Sequence, residues 1–175
     1  MRKFALLTLV LASVASVFGC GGPKKPADLP ELYPCKITII QDGQPLEGAS
    51  VSLNDPSNAS RFVMGYQTDA KGVADLHTDG KYQGVPAGKY KVLVHKVYMP
   101  ESDPNDVPPS DPEARKEYDK RMAELSAQQA DTIDIKYRRP NTTPEEIEVT
   151  PSGAELTIDV GEKVHIRLNE WMKGH

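Results

Sequence analysis

Cysteine is nearly absent: the 175 residues hold two, Cys20 and Cys35. That is too few for the framework of several bridges that small secreted domains use in place of a large core. Excess positive charge is also missing. The formal net charge is −4, and no basic stripe stands out, so nucleic acid is not an expected partner. Long apolar runs are confined to the start of the chain, and no later segment approaches the about 20 predominantly apolar residues of a membrane span. Catalytic signatures are missing as well. There is no G-x-S-x-G elbow among the many serines, and no set of histidines and cysteines at zinc-ligand spacing. Glu101, Asp103, Asp106 and Asp111 lack the glycine-bearing loop of a calcium hand and read as a solvated acidic loop. No catalytic residue, metal or cofactor is therefore expected, and the chain is expected not to be an enzyme.

What is present begins with an export pattern. Arg2 and Lys3 precede an apolar run from Phe4 to Val17, and Val17-Phe18-Gly19-Cys20 puts a small residue before a cysteine. That order resembles the lipobox of bacterial lipoprotein precursors, although Phe18 is bulkier than the residue usual at its position. The resemblance implies a signal peptide over 1–19, cleavage before Cys20, and lipid (palmitate among the acyl groups) on Cys20. Two or three acyl chains hold a protein stably to a membrane where one is marginal. The expected location is the cell envelope, anchored in the outer membrane or in a periplasm-facing leaflet. Loss of the leader leaves 156 residues and takes the formal charge to −6. A lipidated Cys20 leaves Cys35 without an intramolecular partner. Cys35 then reads as a small buried residue, the alternative being a reactive or intermolecularly bridged thiol.

Residues 20–33 form a tether, with proline at 23, 26 and 30 and again at 34, which makes it extended and semi-rigid. From Pro34 onward the period is two. Cys35, Ile37 and Ile39 alternate with Lys36, Thr38 and Ile40, and Asp42-Gly43 marks a turn. Further strands are predicted at Ala49–Leu53, at Phe62–Tyr66, at Val73–His77 and at Tyr90–His95. A turn needing positive φ falls at Gly72. Pro100 to Pro112 holds five prolines and four acidic residues, so it cannot join a central strand. A helix is predicted over about Asp111–Ala130, capped by Ser110 or Asp111, with a narrow apolar stripe of Ala114, Tyr118, Met122 and Leu125. It would lie on the outside of the domain or against a partner. Strands resume at Ile147–Val149, Leu156–Val160 and Val164–Leu168. The expected fold is all-β: an antiparallel β-sandwich of about seven strands over 34–169 with one helical insertion at 100–131, and a tail at 170–175.

Gly43-Gln44-Pro45-Leu46-Glu47-Gly48-Ala49-Ser50-Val51 resembles the G-x-P-L-x-G-A-x-V opening of carboxypeptidase-regulatory-like, transthyretin-like domains. Thr68-Asp69 with Gly72 is similar to their T-D-x-x-G element, and Gly88-Lys89-Tyr90, Val92 and Val94 to their G-x-Y-x-V-x-V strand. Ile135-Lys136-Tyr137 resembles a P-x-K-Y segment of small lipoproteins carrying this domain, with Asp134 where that pattern has proline. The resemblance covers about 36–98 and 133–168. It implies an immunoglobulin-like or transthyretin-like sandwich serving as a binding or structural module, without the separate zinc domain of the carboxypeptidases.

Of the four histidines, His77 and His95 fall in strands that could be neighbours, which would bring two metal ligands together; ordinary surface positions are the simpler reading. Lys36 and Asn169 suggest the amide cross-link found in some surface sandwiches, but Lys36 alternates onto the polar face. The expected function is a lipid-anchored module making contacts with an envelope protein or polymer, chiefly through the insertion. The alternative is a small-ligand or metal carrier using a cleft between sandwich and helix.

Overall fold

The computed structural model describes residues 26–167 except 58, 59, 102 and 104. Strands dominate, and the one helix among the described residues is α1, Pro112–Ala127. In chain order the strands that matter here are β1 (Cys35–Gln41), β2 (Ser50–Asn54), β3 (Met64–Gln67), β4 (Val73–Asp75), β5 (His77–Thr78), β6 (Gly88–His95) and β7 (Val97–Tyr98). After α1 come β8 (Ala130–Asp131), β9 (Glu146–Val149), β10 (Ala154–Asp159) and β11 (Ile166–Arg167).

The largest sheet runs β9-β6-β2-β3-β5 and ends on Tyr82–Gln83, antiparallel throughout. A second sheet is centred on β1, with β10 on one side and Gln44–Pro45 and β4 on the other. The alternation in sequence decides which atoms leave water. Cys35, Ile37 and Ile39 of β1, Val51 of β2, and Val92 and Val94 of β6 are essentially inaccessible. They join Met64, Ile147, Val149 and Ile158 in one apolar cluster shared by the two sheets. Each such side chain stabilises the fold by about 1.5–3 kcal/mol through burial.

Turn chemistry sets the registers. Asp42 and Gly43 both have positive φ (52° and 72°), as the two-residue hairpin into Gln44–Pro45 requires. Asp69 closes the next turn by accepting the N–H groups of Lys71 and Val73, both at 2.9 Å, and Gly72 completes it at φ +73°.

Four expectations about the strands are corrected. The sheet around β1 is not wholly antiparallel: β10 lies parallel to β1, with Ala154 beside Cys35 and Asp159 beside Ile40. The segment expected as one strand over Val73–His77 divides between the sheets. β4 pairs with β1 and β5 with β3, and fully buried Leu76 sits at the crossing, its N–H donating to Cys35 O. The strand expected from Phe62 begins at Met64, and Tyr66 is half exposed. The strand expected over Val164–Leu168 shrinks to Ile166–Arg167, because its partner β8 is only two residues long; Leu168 and Asn169 lie outside the described residues.

The helix is capped as the sequence suggests. Asp111 accepts from the N–H groups of Glu113 and Ala114, and Pro112 occupies the first turn. It stops at Ala127, short of the expected Ala130, because the chain re-enters a sheet. Its stripe residues Tyr118, Met122 and Leu125 are only half buried, and no residue of the helix is fully buried.

Candidate functional site

The insertion leaves and rejoins the domain at one point. β7 and β8 are antiparallel neighbours, with Tyr98 opposite Ala130 and Val97 opposite Asp131, and β11 pairs on the far side of β8. Ala130, Asp131, Thr132 and Ile133 are all buried. Thr132 is held by Lys96 O, which accepts both its N–H and its hydroxyl, and Gln41 Nε2 donates to Thr132 O at 2.7 Å. The arm is thus rooted in tightly bonded backbone.

At this root lies a buried ion pair. Asp131 is 0% exposed, and its Oδ2 binds Arg138 Nη1. Among the described residues Asp131 Oδ1 has no hydrogen-bond partner. Arg138 is placed by a 3-10 turn, Ile135–Arg138, capped by the Asp134 carboxylate, which accepts the Lys136 N–H. The Asp134 backbone, at φ −53°, has the value that a proline would also adopt. Tyr137 of the same turn is buried and donates to Asp159 O at 3.2 Å, locking the turn to β10.

His95 stands at the end of β6 near this pair. Burial pushes its imidazole below the ordinary range, Arg138 adds to the effect, and Asp131 opposes it. Protonation therefore favours the unfolded chain. The stability linked to His95 is complete above about pH 6.5 and is lost as pH falls from there toward the lower folded value. Thermal melts between pH 8 and pH 5 are expected to show that decline, with His95→Gln giving a flatter profile; identical slopes would refute the assignment.

The other sequence-flagged residues do not converge. β5, carrying His77, is separated from β6, carrying His95, by β3 and β2, so the two histidines are three strand spacings apart, about 14 Å. His77 stacks on Tyr66 with ring centroids 4.5 Å apart, and His165 lies near Tyr98. In the acidic loop three of the four carboxylates have separate tasks. Asp106 holds Arg121, Asp103 accepts from Asn105 N, and Asp111 caps α1. Among the described residues no three His, Cys, Asp or Glu side chains gather as a metal site. Cys35 is free and buried, and burial pushes its thiol up to about 11, which makes it the inert packing residue rather than the reactive thiol. Lys36 is exposed. Cys20, the expected signal peptide over 1–19 and Asn169 lie outside the described residues, as does the expected tail at 170–175.

Two features escaped the sequence. Asp131 sits in the polar-looking run Ala130–Ile133, and only its apolar neighbours Ala130 and Ile133 hint at burial. A groove of about 320 Å³, lined by Lys36, Thr38, Val73, Glu155, Leu156 and Thr157, depends on the unexpected parallel register. It lies on the sheet of β1 and not between the domain and the helix. No helix among the described residues is long and apolar enough to cross a membrane.

No family model and no curated protein matches the chain. Among solved structures it is similar to a 9R-lipoxygenase from Cyanothece PCC8801, at 13% identity over 81% of this chain, with a TM-score of 0.30. The chain spans 17% of that protein's length. So distant a likeness carries no argument about lipoxygenase chemistry. The expectation that this chain is not an enzyme is corrected: catalysis is neither shown nor excluded for it.

Proposed function

We propose that the mature chain is a lipid-anchored envelope module that presents the arm between Tyr98 and Ala130 to an envelope protein or polymer. The observation that carries this reading is the contrast between the arm's root and its helix. The returning side of the root, residues 130–133, is buried, while α1 buries none of its residues and displays four acidic and four basic side chains. A 16-residue helix with no fully buried residue is marginal by itself and leaves most of its surface free for a partner, and a surface arm held on a rigid scaffold is where binding residues concentrate. The finer fold we assign is the transthyretin-like sandwich. Its support is that Gly43, Gly48 and Gly72 of the motifs all adopt positive φ, and that the two sheets share one core.

Because Tyr98 and Ala130 are register partners, a two-residue Asn-Gly hairpin can replace residues 99–129. That variant is expected to keep its melting temperature, stay in the membrane fraction and lose the partner captured by crosslinking in the native envelope. Cys20→Ser is expected to release the chain from the membrane fraction. Unchanged capture by the excised variant would refute the presentation reading, and a membrane-bound Cys20→Ser chain would refute the anchor.

A further inference from the structure

The outer face of the large sheet divides by charge. Toward β9 it carries Lys89–Glu148 and Lys91–Glu146, opposite charges that pair with each other. Beyond β6 the outward positions hold no Asp, Glu, Lys or Arg. Ladder partners share a face, so one row runs Leu93, Ser52, Gly65, His77 and Gln83, and the next sets Ser50 beside Gln67. Asn54 continues the same side of β2, whose intervening residues Val51 and Leu53 are core. The row from Leu93 to Gln83 crosses four strand spacings, about 19 Å.

This uncharged strip is open to solvent. Gln67 and Gln83 are exposed, and Ser50, Ser52, Asn54 and His77 are partly so. Among the described residues the side chains of Ser50, Ser52, Asn54, Gln67 and Gln83 have no hydrogen-bond partner. Each is an amide or hydroxyl that both donates and accepts. Gly65 keeps the middle of the row low, because a Cβ there would fall 2.5 Å from Val51 O. His77 stacks on half-exposed Tyr66 with ring centroids 4.5 Å apart. Its Nδ1 lies 2.8 Å from Asp75 O. A carbonyl only accepts, so Nδ1 carries the proton and Nε2 of the neutral ring is left as an acceptor.

We propose that this strip binds an uncharged oligosaccharide laid across the strands from β2 toward Gln83. Sugar hydroxyls donate and accept as the amides and serines do, and the C–H faces of a sugar ring pack on aromatic surface such as that of Tyr66. The strip holds no charge to meet an ionic ligand and no basic row for nucleic acid. Leu93 is its single outward aliphatic residue, too little for the buried anchors of a protein interface. The site uses no residue of the arm, so the two proposals fail separately.

The test is an amide-shift titration of the nitrogen-labelled full chain in zwitterionic detergent micelles with maltohexaose and, separately, chitohexaose, both uncharged. Saturable shifts are expected with at least one of them at Ser52, Gly65, Gln67 and His77, with a Kd on the order of 1 mM, the range of a few polar contacts. Raising the salt from about 0.05 M to about 0.5 M is expected to leave that Kd within about twofold, since no charge pair forms. Polygalacturonate, which carries a carboxylate on each ring, is expected to bind about tenfold more weakly. Ser52→Arg fills the strip from an outward position and is expected to abolish binding. Gln67→Ala, Gln83→Ala and Tyr66→Ala are each expected to weaken it by roughly threefold to tenfold. Absence of saturable shifts with both hexasaccharides, shifts mapping elsewhere, or equal binding of polygalacturonate would each overturn the proposal. So would unchanged binding by a folded Ser52→Arg chain. If that variant fails to fold, the two glutamine variants and polygalacturonate decide.

Discussion

Arg138→Met is expected to cost about 3–5 kcal/mol of stability at pH 7, the range for removing one partner of a buried ion pair. Asp131 is fully buried, one of its oxygens is already unpartnered, and Arg138 holds the other. The methionine keeps the apolar stem of the side chain and deletes the charge. Asp131→Asn should cost less, about 1–2 kcal/mol, because the amide oxygen still accepts from Arg138, whose side chain is 25% exposed and partly hydrated. Urea denaturation of the two single variants and the double variant measures the coupling. A loss under 1 kcal/mol for Arg138→Met would show that the pair does not hold the root of the arm.

Gly72→Ala is expected to be nearly as damaging, at about 3 kcal/mol. Two costs add here. The backbone at φ +73° strains any residue with a Cβ by about 1–2 kcal/mol. An alanine Cβ would also fall 2.6 Å from Ile39 O and 3.0 Å from Leu46 N. Both contacts are backbone atoms of the β1 hairpin, so relief means moving the centre of the second sheet, an overpacking cost of about 1–3 kcal/mol. Gly43→Ala provides the comparison. It shares a positive φ of 72°, but nothing lies within 4 Å of its added Cβ, so it should lose only the strain. Equal losses in the two variants would refute the close-approach argument.

Sequence periodicity reaches as far as single elements. The alternation in Cys35–Gln41 and Gly88–His95 marks strands whose inward faces are those the pattern indicates. Asp111 and Pro112 announce the start of α1, and the cysteine count agrees with a buried, free Cys35. The partners of those strands were not legible, because hydrogen-bond registry is decided between distant segments. Period two in Val73–His77 continues through Leu76 with no sign that the chain changes sheet there. The Val164–Leu168 alternation is equally regular, yet the length of the partner strand limits the ladder. The Asp131–Arg138 pair was hidden for the same reason: an aspartate after a helix reads as surface until β7 and β11 close around it.

The parallel contact between β10 and β1 also has a temporal side. Lys36 finds Glu155 beside it in the finished sheet, yet a ribosome makes the two far apart in time. Until the chain through Asp159 has been synthesised, β1 can complete only the side facing β4 and the hairpin, and its other edge stays open to whatever is nearby. Such long-range closure is slow, and it leaves an unsatisfied strand edge as the vulnerable intermediate. The molecule is therefore one whose N-terminal half waits for its C-terminal half, with Ala154–Asp159 as the segment that ends the wait.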